Sequence, residues 1–159
     1  MYQVVHGLSG VLIGSQTNNP VIAFILGVVS HFILDAIPHD SIEIHNWQNN
    51  GKGEKMKKFV LEAGLDLFLF LLIILILAST GKLRINMSIA AGVMGTLLPD
   101  YTWAMAELFK IKNTVMDKYR QLHNWVHRIF YKSIYLPGKY VIPIQLGVVI
   151  LFIFLYLLL

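Results

Sequence analysis

The feature that most restricts this chain is a pair of hydrocarbon runs. Twelve consecutive apolar residues extend from Leu67 to Ala78, and a second, nearly featureless apolar segment extends from Tyr140 to Leu159. Neither alternates as a strand does, and neither shows the one-sided stripe of a soluble helix. A backbone wrapped in so much aliphatic surface must satisfy its own N–H and C=O groups, which favours helices in lipid. Composition agrees: across 159 residues 56% are hydrophobic and 14% charged, with a mean hydropathy of +0.63, more apolar and less charged than an ordinary soluble domain. The chain therefore reads as an all-α integral membrane protein, a single domain over 1–159 built as a small bundle of about five transmembrane or membrane-embedded helices. The start, Met1 to His6, has no basic region ahead of its apolar residues, so no cleaved signal peptide is expected and the first apolar segment is retained.

The helices are expected at about 4–15, 21–37, 59–80, 87–109 and 140–159. The first is short of the ~20 residues a span needs, so it is tilted and part-buried among its neighbours, or interfacial. Its Gly10-x-x-x-Gly14 spacing suits close helix packing. Pro38 ends the second helix, Gly81 opens a tight turn after the third, and Leu98-Pro99-Asp100 interrupts the fourth. Polar segments at 38–58 and 110–139 separate these elements. If the helices alternate in direction, the N-terminus and both polar segments share one face. That face carries eleven of the thirteen basic residues, Lys82 and Arg84 being the exceptions. The positive-inside rule then makes it cytoplasmic, with the protein in the inner membrane.

Histidines and carboxylates gather on the same side. His6 opens the first helix, His31 and Asp35 lie four residues apart near the end of the second, Glu62 and Asp66 share that spacing in the third, and Asp100 falls in the second half of the fourth. His39, Asp40, His123 and His127 flank them. Asp35, Glu62, Asp66 and Asp100 left ionised and unpaired in a bilayer would cost on the order of 10 kcal/mol as an upper bound, comparable to the stability of a whole domain. Border cations such as Lys57, Lys58 and Arg128 are too few to neutralise them, whereas one or two divalent cations among neutral imidazoles would. With no cysteine in the chain, the ligands must be His, Asp and Glu, which suits zinc first, and manganese, iron or magnesium as alternatives.

Each residue also has a plainer reading. His6 suits a hydrogen-bonded packing role, Glu62 a helix N-terminal charge preference, and Asp100 the cap of a helical break. His123-Asn-Trp-Val-His127 lies in a polar amphipathic stretch where histidines cost little. His31 with Asp35 is the pair least well explained without a metal, since i, i+4 is the spacing at which helices present ligands. The basic run at 52–58 serves topology and contact with anionic lipid.

His6-Gly7 ahead of a glycine-rich helix, the Gly-x-x-Leu-Pro-Asp segment from Gly95 to Asp100, and the downstream His-x-x-x-His resemble the LexA-regulated, membrane-bound metal-dependent hydrolases, the YdjM-like family. That family is grouped with zinc-dependent phospholipases C and related single-strand nucleases, and His31-x-x-x-Asp35 is similar to their ligand pattern. The resemblance implies a hydrolase whose metal is held from among His6, His31, Asp35, His39, Glu62, Asp100, His123 and His127. Asp66 or Asp40 would be the general base, and Lys57, Lys58, Arg120 and Arg128 would hold an anionic head group. A phosphate ester of a lipid or of another membrane-associated molecule is the substrate implied at that face. Two other classes fit the same residues: a divalent-metal transporter, which would carry ligands near the bilayer midplane, and a structural membrane protein stapled by a metal, which would close its coordination shell. Nucleic acid is not an expected partner, because topology explains the positive charge.

Overall fold

The glycines of the first apolar segment govern the architecture. The computed structural model describes residues 1–37, 54–127, 129 and 138–159, and for 54–59, 107 and 138 the backbone alone. Among these residues there are six helices and no strands: α1 (Gln3–Ser15), α2 (Pro20–Asp35), α3 (Glu54–Ser79), α4 (Met87–Leu108), α5 (Thr114–Val126) and α6 (Gly138–Leu158).

Helix α1 is the central element, with Val4, Val5, Leu8 and Val11 buried in a core completed by Leu34, Phe70, Leu77, Leu83, Ile89 and Val149. It packs against α4 with backbones nearly touching, since a Cβ at Gly10 would lie 2.7 Å from the Cα of Val93. Helix α2 closes on α4 in the same way, a Cβ at Gly27 falling 2.5 Å from the carbonyl oxygen of Gly92. Without side chains in the way, three helices approach closely enough for short polar groups to meet between them. The expected packing role of Gly10 and Gly14 holds, and the short first helix is largely buried among its neighbours.

Helices α3 and α6 flank α1 and contain 20-residue stretches, Val60–Ser79 and Lys139–Leu158, that are long and apolar enough to cross a membrane. The others are less suited to spanning. At 13 and 16 residues, α1 and α2 reach only about 20 and 24 Å against a hydrocarbon core of ~30 Å. Both long helices dock on the start of α1: the backbone N–H of Tyr2 donates to Gln145 Oε1 at 2.7 Å, and Asp66 accepts from the N–H groups of Gln3 and Val4.

Four features differ from the sequence expectation. Helix α3 begins at Glu54 rather than 59, inside the polar segment expected at 38–58. Helix α2 begins at Pro20, where Asn19 Oδ1 accepts from Val21 N–H at 2.9 Å, and ends at Asp35 rather than 37. Helix α4 runs unbroken through Pro99, so the expected interruption is absent. The segment 110–139 also holds a helix of its own, α5. Lys110 adopts a left-handed φ of 51° and Ile111 N–H returns to the Ala106 carbonyl at 2.8 Å, which ends α4. Asn113 then caps α5 by accepting from Met116 N–H at 2.8 Å.

Candidate metal centre

His31 and Asp35 occupy one face of the last turn of α2, and His31 Nε2 lies 3.0 Å from Asp35 Oδ2. The other ring nitrogen, Nδ1, lies 2.8 Å from the carbonyl oxygen of Thr96. A carbonyl only accepts, so Nδ1 carries a proton and donates. A neutral His31 therefore directs the Nε2 lone pair at a carboxylate oxygen, a repulsive arrangement unless a cation or second proton lies between them. Such a backbone anchor on the far nitrogen is how ligating histidines are oriented. Pro99, one turn on, removes a ladder hydrogen bond from that part of α4.

Three further helices complete the cluster. Asp100 comes from α4, His123 and His127 from the end of α5, and His6 from the second turn of α1. His123 Nε2 is 3.4 Å from Asp100 Oδ1 and 3.7 Å from Asp35 Oδ2, while His31 Nε2 is 3.7 Å from Asp100 Oδ1. These contacts close a ring in which imidazole and carboxylate alternate. His127 Nε2 joins at 3.3 Å from Asp35 Oδ2. Ligand atoms about 2.1 Å from a shared ion are separated by ~3.0–3.4 Å along octahedral or tetrahedral edges, close to the ring's own edges. One ligand atom from each of His31, Asp35, Asp100 and His123 lies within 4.8 Å of all the others. Among the described residues His31 Nε2 and His123 Nε2 are fully buried without a hydrogen bond of acceptable geometry, so the donor set fits a divalent cation.

Each carboxylate also has a second oxygen turned the other way. His6 Nε2 lies 3.1 Å from Asp35 Oδ1 and 3.9 Å from Asp100 Oδ2, and the His6 ring stacks on His31 with centroids 4.3 Å apart. The Met1 amino nitrogen is 2.6 Å from Asp35 Oδ1. Asp35 and Asp100 thus present one oxygen to His31 and His123 and the other to His6. His6, His31 and Asp35 are almost fully buried, whereas Asp100 is 32% and His127 20% exposed, so the cluster is open on one flank.

The remaining candidates fall elsewhere. Asp66, expected as a general base, uses both oxygens to cap the N-terminus of α1. Glu62 is exposed on α3 and stands outside the four-residue group. Arg120, expected to hold a head group, bonds Asp117 at 3.0 Å and the carbonyls of Ile111 at 2.9 Å and Ala106 at 3.5 Å, tying α5 to the end of α4. His39, Asp40 and Arg128 lie outside the described residues, as do the side chains of Lys57 and Lys58. Sequence reading overlooked Tyr119, whose hydroxyl donates to the Pro99 carbonyl at 2.6 Å. Burial, then the Asp100 and Asp35 carboxylates, push this phenol's pKa up. The signal was present in the spacing, because Tyr119, His123 and His127 recur every four residues on one helical face.

No protein-family model, no curated protein and no solved structure matches this chain.

Proposed function

We propose that this chain is a membrane-embedded, metal-dependent hydrolase that cleaves a phosphate ester of a lipid or other membrane-associated substrate, as its resemblance to the YdjM-like family implies. The observation that carries this reading is the alternating ring of His31, Asp35, His123 and Asp100 with one flank exposed at Asp100 and His127. A metal staple would close that flank. A transporter would place its ligands near the bilayer midplane, whereas α1 begins beside residues only six positions into each apolar stretch, about 9 Å along the helix from where the stretches start.

His31, Asp35, Asp100 and His123 would hold a divalent cation, with zinc first in order of fit to two imidazoles and two carboxylates. His6 would add a second site through the opposite oxygens of the same two acids. When bound, such ions supply Lewis acidity and acidify water at neutral pH. His127, beside Asp35 on the open flank, is the group placed to accept a proton there, and the carboxylate holds its ring for that task. Tyr119 fixes the spacing of α5 on α4 and so the position of His123. By the charge asymmetry of the sequence, the site faces the cytoplasm. Metal analysis of detergent-purified protein followed by a hydrolysis screen against common phospholipids, read as the diacylglycerol or phosphatidate formed, tests this reading. Bound zinc at one or two equivalents with hydrolysis of one phosphoester bond is expected, and protein purified without stoichiometric metal would overturn it.

A further inference from the structure

Helix α5 has three faces, and the site explains only one. Tyr119, His123 and Val126 turn inward, while Asp117, Gln121 and Asn124 form a polar side. Between these lies a stripe of Val115, Leu122, Trp125 and Ile129 spaced at helical intervals, with Val115 70% and Trp125 62% exposed. The stripe continues into Phe109 and Ile111 at the end of α4, which are also exposed. Lys110 and Lys112 are exposed beside it and Lys118 is exposed within it, one turn from both Val115 and Leu122, whereas Asp117 is paired with Arg120. An apolar stripe carrying a tryptophan and edged by lysines is the composition of a helix lying in a lipid head-group region. Its position agrees, because its last turn meets Asp35 beside Met1, and α1 starts against residues six positions into both membrane-length stretches.

We propose that α5 is an interfacial helix that seats this stripe on an anionic lipid surface, and that the seating delivers His123 and His127 to the metal centre. Within the described part of the chain, α5 is joined to the rest mainly through Tyr119, Arg120 and the two imidazoles, so the lipid surface supplies the support that holds the imidazoles over Asp35 and Asp100. Anionic head groups supply the counter-charge for the three lysines. Acidic lipid thereby becomes an activator of the site. This inference rests on the metal-centre reading given above.

The test uses the full chain in nanodiscs of phosphatidylcholine alone or with 30% phosphatidylglycerol, in a Trp47→Phe, Trp103→Phe background that leaves Trp125 as the sole tryptophan. Zinc affinity is measured by chelator competition, and the depth of Trp125 by quenching with lipids brominated near the head group. The expected result is strong quenching, together with zinc affinity about tenfold tighter in the anionic discs. In a Lys110→Gln, Lys112→Gln, Lys118→Gln variant that gain disappears while affinity in neutral discs stays unchanged. An anionic surface that merely concentrated cations would tighten binding equally in the variant, and that result would overturn the proposal. Unquenched Trp125 overturns the seating whatever the metal does. Quenched Trp125 with no zinc retained in either disc overturns the coupling and the metal reading together.

Discussion

His31 Nδ1 donates to the Thr96 carbonyl at 2.8 Å while its Nε2 faces Asp35 Oδ2 at 3.0 Å, so α4 sets the tautomer of a residue on α2. The lone pair left on Nε2 and the carboxylate beside it are two donors that one cation could share. Among the described residues three buried imidazole nitrogens, His6 Nδ1, His31 Nε2 and His123 Nε2, have no hydrogen bond, a cost that a bound cation would offset for the last two.

Asp35 contacts more of the cluster than any other ligand. Asp35→Asn keeps the shape and removes the charge, so the protein should fold, lose phosphoester hydrolysis, and lose zinc affinity by more than the 10–100-fold typical of an outer-shell partner. Zinc content and turnover measured on the same preparation check this, and full activity in the variant would remove the centre from the mechanism.

His6 meets only the outward oxygens, Asp35 Oδ1 and Asp100 Oδ2. If two cations bind, His6→Gln should lower stoichiometry from about two zinc to one while leaving the tighter site intact. Isothermal titration of metal-stripped protein distinguishes this from a single site, in which the variant would leave the count unchanged.

Protons compete for the same imidazole lone pairs. Metal affinity should fall as the solution is made acidic, because each ligating imidazole must be neutral to bind and protons compete for its lone pair. A pH titration of bound zinc measures the slope; affinity constant down to pH 5 would mean that the carboxylates alone hold the ion.

Tyr119 links α5 to Pro99 through a phenol whose pKa is raised. A raised folded-state pKa means that its contribution is complete below the unfolded value near 10 and is lost as pH climbs through the folded value. Tyr119→Phe should therefore cost about 1 kcal/mol at neutral pH, with a deficit against wild type that shrinks in strong alkali. Denaturation in detergent at pH 7 and pH 11 reads both.

The glycine interfaces give a contrast internal to one protein. Gly27→Ala places a methyl 2.5 Å from the Gly92 carbonyl and 3.1 Å from Thr96 N, and should destabilise by about 1–3 kcal/mol through overpacking while moving His31 off its anchor. Gly64→Ala, on a helix with nothing within 4 Å, should instead stabilise by roughly 0.5–1 kcal/mol. Thermal unfolding and zinc affinity of the two variants, compared side by side, decide it.

Much of this was legible in the order of residues. Two long hydrocarbon runs announce helices, Gly10-x-x-x-Gly14 announces a close crossing, and His31 with Asp35 announces a shared polar face, because each depends on spacing along a single helix. Which acids reach that face could not be read this way. Glu62 and Asp66 have the same i, i+4 spacing as His31 and Asp35, yet one is exposed and the other caps α1. The relevant quantity is the rotation of one helix about its axis relative to another, and glycine contacts between α1, α2 and α4 set it. The same tertiary packing brought His123 from an apparently polar segment to within 3.4 Å of Asp100. Periodicity names the faces of a helix, but only close packing between helices decides which faces meet.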